Sequence, residues 1–134
     1  MVVLDTNIVI DALHGNNAVI DEINTYVGDG KLSITVINKY ELLRGLSTLQ
    51  DEERARLHEF LSSLVIHALG EKEISYSTEI YWKLKELGKL INELDIIIAG
   101  ISLSNGERLL TNDQDFRFIK SSSPNWDSQI ILLK

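Results

Sequence analysis

The chain has 134 residues, 44% hydrophobic and 25% charged, with no cysteine and a net charge of −7 from 20 acidic residues against 13 Lys and Arg. That length fits one domain, residues 1–134, with a real core, while the missing cysteine excludes disulfides and thiolate metal sites. The acidic balance argues against gripping nucleic acid by bulk charge, but not against meeting phosphate through bound cations.

"VVL" at 2–4 reads as a short buried strand, leaving no room for a signal peptide before it. "NIVIDAL" (7–13) and "NAVIDEINTYV" (17–27) follow at helical spacing, the second stopped by "GDG". "KLSITVI" (31–37) is β-branched and reads as a strand, "KYELLRGL" (39–46) as a helix, and "DEERARLHEFLSSL" (51–64) as a helix with a charged outer face. "VIHAL" (65–69) is a strand. Residues 71–90 form a long helix with apolar positions at Ile74, Tyr81, Leu84, Leu87 and Leu90. "DIIIAGISLS" (95–104) is a buried helix, "RLLT" (108–111) and "IILL" (130–133) are late strands, and "SSSPNWDS" (121–128) is a loop.

Strands alternating with helices predict an α/β fold of three layers, α/β/α, around a central parallel sheet. Such sheets carry their functional groups just past the carboxyl ends of the strands. Asp5 stands at such an end, and Asp113 lies two residues beyond another. Glu41 and Asp95 stand near two further helix starts, and Asp115 lies beside Asp113. Each acid has a plain local reading. Asp5 can cap a helix, Glu41 and Asp95 each fall three residues after an Asn as in a capping box, and Asp113 fits turn chemistry. Together they fit another chemistry. Carboxylates gathered along one sheet edge repel each other, and Mg²⁺ or Mn²⁺, which prefer oxygen ligands, removes that repulsion.

The blocks "LDTNIVIDAL", "YELLRGL", "LDIIIAGISLSNG" and "LLTNDQDF" occur in the order and spacing of PIN-domain proteins. The chain resembles the VapC-type toxins of that family over essentially its whole length. The resemblance implies a PIN-like fold and a ribonuclease dependent on Mg²⁺ or Mn²⁺. It implies an RNA substrate, a cognate antitoxin and a homodimer. Carried onto this chain, the acidic site falls on Asp5, Glu41, Asp95 and Asp113, with Asp5, Asp95 and Asp113 as metal ligands and Glu41 holding or deprotonating the attacking water. Thr6, Asn7 and Thr111 match the accompanying polar positions, and Asp115 is a second candidate beside Asp113. Asn7 is expected to fix a carboxylate rotamer, and the products to carry a 5′-phosphate and a 3′-hydroxyl. Gly100 departs from the family, standing where Ala is usual, and is expected to loosen the buried helix.

His14, His58 and His67 are too scattered for a zinc site. Arg44, Arg108, Arg117 and Lys120 lie near the acids and read equally as RNA contacts at the rim or as surface and antitoxin contacts. Three other functions stay open: an RNA-processing nuclease without a toxin role, a non-catalytic PIN-like binding module, and a phosphoacceptor receiver domain. The last lacks its central-strand Asp here. A cytoplasmic protein with no membrane contact is expected, since no apolar run nears the ~20 residues of a membrane helix.

Overall fold

The computed structural model describes residues 1–28 and 30–133. Five parallel strands, β1 (Val2–Leu4), β2 (Leu32–Thr35), β3 (Val65–His67), β4 (Arg108–Thr111) and β5 (Ile130–Leu132), form one sheet in the order β3-β2-β1-β4-β5. Helices cover both faces. Along β1 the side chains alternate, as the period of a strand requires. Val2 and Leu4 pack with α1 (Thr6–Leu13), α2 (Asn17–Val27) and α4 (Asp51–Ser63), while Val3 packs with α5 (Glu71–Leu87), α6 (Glu93–Ser104) and α7 (Arg117–Ser122). This is the three-layer α/β/α arrangement expected from the alternation. Among the described residues no helix is long and apolar enough to cross a membrane.

The departures from the sequence reading have local causes. The β-branched run 31–37 does not stay a strand. Thr35 caps α3 (Val36–Arg44) through a hydroxyl that accepts from Asn38 N, and Asn38 Oδ1 accepts from Thr35 N in return. This reciprocal cap overrides the strand propensity of Val36 and Ile37. Glu41 is therefore not the third residue of its helix, and the capping role expected for it falls to Asn38. The long helix stops at Leu87 because Gly88 takes a left-handed conformation with φ of 67°. Its buried face is Ser77, Ile80 and Leu84, and Ile74, Leu87 and Leu90 are exposed. The expected loop at 121–128 contains the end of α7 and a single turn, α8 (Pro124–Asp127), with Pro124 at its start and Trp126 packed on the core.

Gly100 tightens the helix packing rather than loosening it. A Cβ there would lie 2.8 Å from Ser77 Cα and 2.0 Å from Ser77 Oγ, so the missing side chain is what lets α5 and α6 cross so closely. Behind them, Glu107 Oε2 accepts from the Ser33 hydroxyl at 2.9 Å and lies 2.9 Å from His67 Nε2, tying the edge strand β3 to the middle of the sheet. His14 pairs with Glu53. His14 and His67 thus each pair with a glutamate away from the acids of the site.

Candidate active site

The strand order places β2 on one side of β1 and β4 on the other. Connections leaving neighbouring strands in opposite directions open a crevice at the carboxyl ends of the strands. A recess of about 420 Å³ lies there, lined by Asp5, Thr6, Asn7, Glu41, Asp95 and Asp113, with Arg44 and Asn92 also on its wall.

Asp5 is the most firmly held of these. Its backbone N–H donates to Leu110 O at 3.0 Å, continuing the ladder between β1 and β4. Its Oδ1 accepts from Thr6 N at 2.9 Å, which is the helix-capping role foreseen for it. Its Oδ2 accepts from the Thr111 hydroxyl at 2.7 Å, and that hydroxyl in turn accepts from Asp113 N at 3.0 Å. One threonine at the end of β4 therefore sets the position of two acids. Thr6 Oγ1 donates to Glu41 Oε1 at 2.7 Å, and among the described residues the other carboxylate oxygen of Glu41 makes no hydrogen bond.

Asn38 was missed as a site residue. Its carbonyl oxygen accepts from both the N–H and the hydroxyl of Thr35, so its amide nitrogen must point at the site. That nitrogen donates to Thr6 Oγ1 at 3.0 Å and to Asp5 Oδ1 at 3.4 Å. The role expected of Asn7 thus belongs to Asn38. Asn7 is exposed on the pocket wall, and among the described residues its side chain makes no hydrogen bond. The spacing Thr35-x-x-Asn38 at the end of an apolar run was the signal that could have found it.

Asp113 faces the recess, and its carboxylate accepts from Asp115 N at 2.9 Å. Asp115 is exposed and does not line the recess. Asp95, in the first turn of α6 behind the Asn92 cap, reaches the recess with no hydrogen bond to its carboxylate among the described residues. The ion pairs of the described residues lie elsewhere, between His14 and Glu53, Arg54 and Asp51, His67 and Glu107, and Lys120 and Asp127. The acids of the recess are left to repel one another. Burial first, then the charges of Asp5, Asp113, Glu41 and Asp115, push the Asp95 carboxyl up to about 7. Burial also raises that of Asp5, against the lowering effect of the bonds from Thr111 and Thr6, and the charges of Glu41 and Asp113 add to the rise.

The donor set is all oxygen: four carboxylates, of which Asp5 and Glu41 are steadied by hydroxyls and Asp5 also by an amide. That suits hard divalent cations such as Mg²⁺ and Mn²⁺. Among the described residues no three acids are drawn closely enough to ligate one ion as they stand.

A family model for the PIN domain matches residues 2–120, and the chain belongs to the PIN-domain family. Within that family it is VapC-like. Ribonuclease VapC2 of Haemophilus influenzae (strain KW20 / Rd) is 34% identical over 128 residues, covering 92% of this chain and 96% of that protein. Ribonuclease VapC2 of Rickettsia felis is 28% identical over 129 residues, with the same shares of 92% and 96%. Among solved structures, VapBC2 from Rickettsia felis bound to a DNA fragment from their promoter superposes with a TM-score of 0.81, at 24% identity and full coverage of both chains. VapBC-1 from nontypeable Haemophilus influenzae gives 0.76 at 24% identity, covering 98% of each chain. These two likenesses establish the shared fold.

Proposed function

We propose that residues 1–134 act as one PIN domain that hydrolyses RNA phosphodiesters with Mg²⁺ or Mn²⁺, as the toxin of a toxin–antitoxin pair. The observation that carries this reading is the recess at the switch point of the sheet. It holds Asp5, Glu41, Asp95 and Asp113 with no basic ion-pair partner among the described residues, and the crowding pushes the Asp95 carboxyl up to about 7. A chain gains nothing in stability from such crowding, and clusters of perturbed acids in clefts mark functional sites. The ribonuclease names of the relatives supply the substrate class.

Asp5, Asp95 and Asp113 would hold the cation, Asp5 centrally because Thr6, Asn38 and Thr111 fix both of its oxygens. Divalent cations there would lower the pKa of a water nucleophile and offset charge on the phosphoryl group in flight. Glu41, with one oxygen tied to Thr6 and the other free, would orient or deprotonate the attacking water from the wall of the recess. Cleavage would leave a 5′-phosphate and a 3′-hydroxyl. The VapBC complexes among the structural relatives support an antitoxin as partner, and we extend the reading to a homodimer acting in the cytoplasm.

The test is Asp5→Asn in a cleavage assay on total RNA with Mg²⁺ or Mn²⁺ and end mapping. The variant should lose metal-dependent cleavage while remaining folded. Undiminished cleavage would sink the assignment, and absence of Mn²⁺ binding to the wild-type protein by calorimetry would favour a binding module instead.

A further inference from the structure

The segment that carries Asp113 is pinned from three directions. From within, the Thr111 hydroxyl accepts from Asp113 N at 3.0 Å. From the sheet edge, Leu133 N donates to Thr111 O at 2.8 Å, and Leu133 O accepts from Gln114 Nε2 at 3.0 Å. From α1, Asp11 Oδ2 accepts from Asn112 Nδ2 at 3.0 Å, a bond between residues 101 positions apart.

Asp11 is costly where it stands. Asp ranks low inside a helix, because its short carboxylate competes for backbone groups. Here it lies in the second half of α1, half-buried, and among the described residues it forms no ion pair. The helical period explains where it reaches. Asn7, Ile10 and Asp11 fall on one face of α1, and Asn7 and Ile10 line the acidic recess. Asp11 carries that face on to the segment after β4.

A carboxylate can only accept, so the Asn112 amide must turn its NH2 toward Asp11. That orients the residue standing between Thr111, which bonds Asp5, and Asp113, which lines the recess. The Gln114 bond is exposed, and water competes for it, whereas the Asp11 bond is half-buried.

We propose that Asp11 is a positioning residue. By holding Asn112 it sets segment 111–114, so that the Asp113 carboxylate meets the divalent cation together with Asp5. Groups behind metal ligands govern affinity, because a ligand already held in place has less freedom to lose when the ion arrives. This inference rests on the metal-dependent reading of the recess and adds to it a residue from outside the acid cluster.

The experiment is a double-mutant cycle read by Mn²⁺ calorimetry, with thermal melts in EDTA alongside. Asp11→Ala should weaken Mn²⁺ binding about tenfold, as loss of an outer group behind a ligand does. Ala is the better helix former, so α1 is kept. Asn112→Ala should match it, and the double variant should be no weaker than either single one, since all three remove the same bond. Asp11→Asn keeps an acceptor for the Asn112 amide and should bind Mn²⁺ as the wild type does. Losses that add in the double variant would overturn the proposal. So would an Asp11→Asn variant as weak as Asp11→Ala, which would assign the effect to charge. A lower Tm in Asp11→Ala with unchanged Mn²⁺ affinity would also overturn it, leaving Asp11 as a staple of the fold. The two readings fail separately. A wild type that binds no Mn²⁺ would overturn the metal-dependent reading itself, whereas wild-type binding that Asp11→Ala leaves unchanged would overturn only the positioning role.

Discussion

Asp95→Asn should stabilise the protein without metal at pH 8 and do so much less at pH 5. The Asp95 carboxyl stands at about 7 in the folded chain against an ordinary 3.8. Between these values the folded state keeps a proton that the unfolded chain has released. The native state therefore binds more protons, and stability falls as pH rises from about 4 to about 7, then levels off. Three pH units correspond to about 4 kcal/mol at most. Asp95 is partly open to solvent, so screening reduces this to about 1–2 kcal/mol. The substitution also removes an acid from the first turn of α6, which costs about 0.3–1 kcal/mol of helix-dipole interaction. The net gain at pH 8 is about 1 kcal/mol, or roughly 3–5 °C in Tm for a chain of this size. Thermal melts of wild type and variant in EDTA at the two pH values supply the comparison, because other titrating groups cancel in the difference. A gap in Tm that does not widen from pH 5 to pH 8, or a variant less stable at pH 8, would refute the crowding argument and leave helix capping as the main role of Asp95.

Gly100→Ala should lower stability although Ala is the better helix former. The propensity gain is about 1 kcal/mol, but the new Cβ meets Ser77 backbone at 2.8 Å, and overpacking costs about 1–3 kcal/mol. A denaturant midpoint at or above the wild-type value would show that the two helices part freely. Thr111→Val should weaken Mn²⁺ binding about 10–100-fold, since it removes the donor to Asp5 Oδ2 and the acceptor of Asp113 N, while Thr111→Ser should largely restore it. Calorimetric titration of both variants decides this, and equal affinity in Thr111→Val would remove Thr111 from the site.

The architecture was legible where propensity and burial agree, as in β1, α1 and the apolar α6. It was misread where a side chain outvoted propensity. Val36 and Ile37 look like strand but are drawn into α3 by the reciprocal bonds of Thr35 and Asn38. That shift also hid Asn38, since an Asn three residues before Glu41 reads as that acid's cap rather than as a donor to Asp5. Asp5 and Asp113 stand just past strand ends in the sequence and Asp95 and Glu41 near helix starts, but a cap or a turn explains each alone, and only the four together suggest a metal site. Gly100 was misjudged for want of its partner. Its use depends on Ser77, which is 23 positions away and has no periodic signal linking it to Gly100.

The bonds around Asp5 carry a direction as well as a distance. Thr6 N–H and the Asn38 amide can only donate, and the Thr111 hydroxyl spends its single proton on Asp5 while accepting from Asp113 N. The donors from Thr111 and Thr6 favour the charged carboxylate and offset part of the rise that burial imposes on Asp5. Asp95 has no such bonds among the described residues, and burial with its neighbours' charges pushes it up to about 7 without that offset. The groups behind the recess thus act as ballast, weighting one acid of the cluster toward its anion.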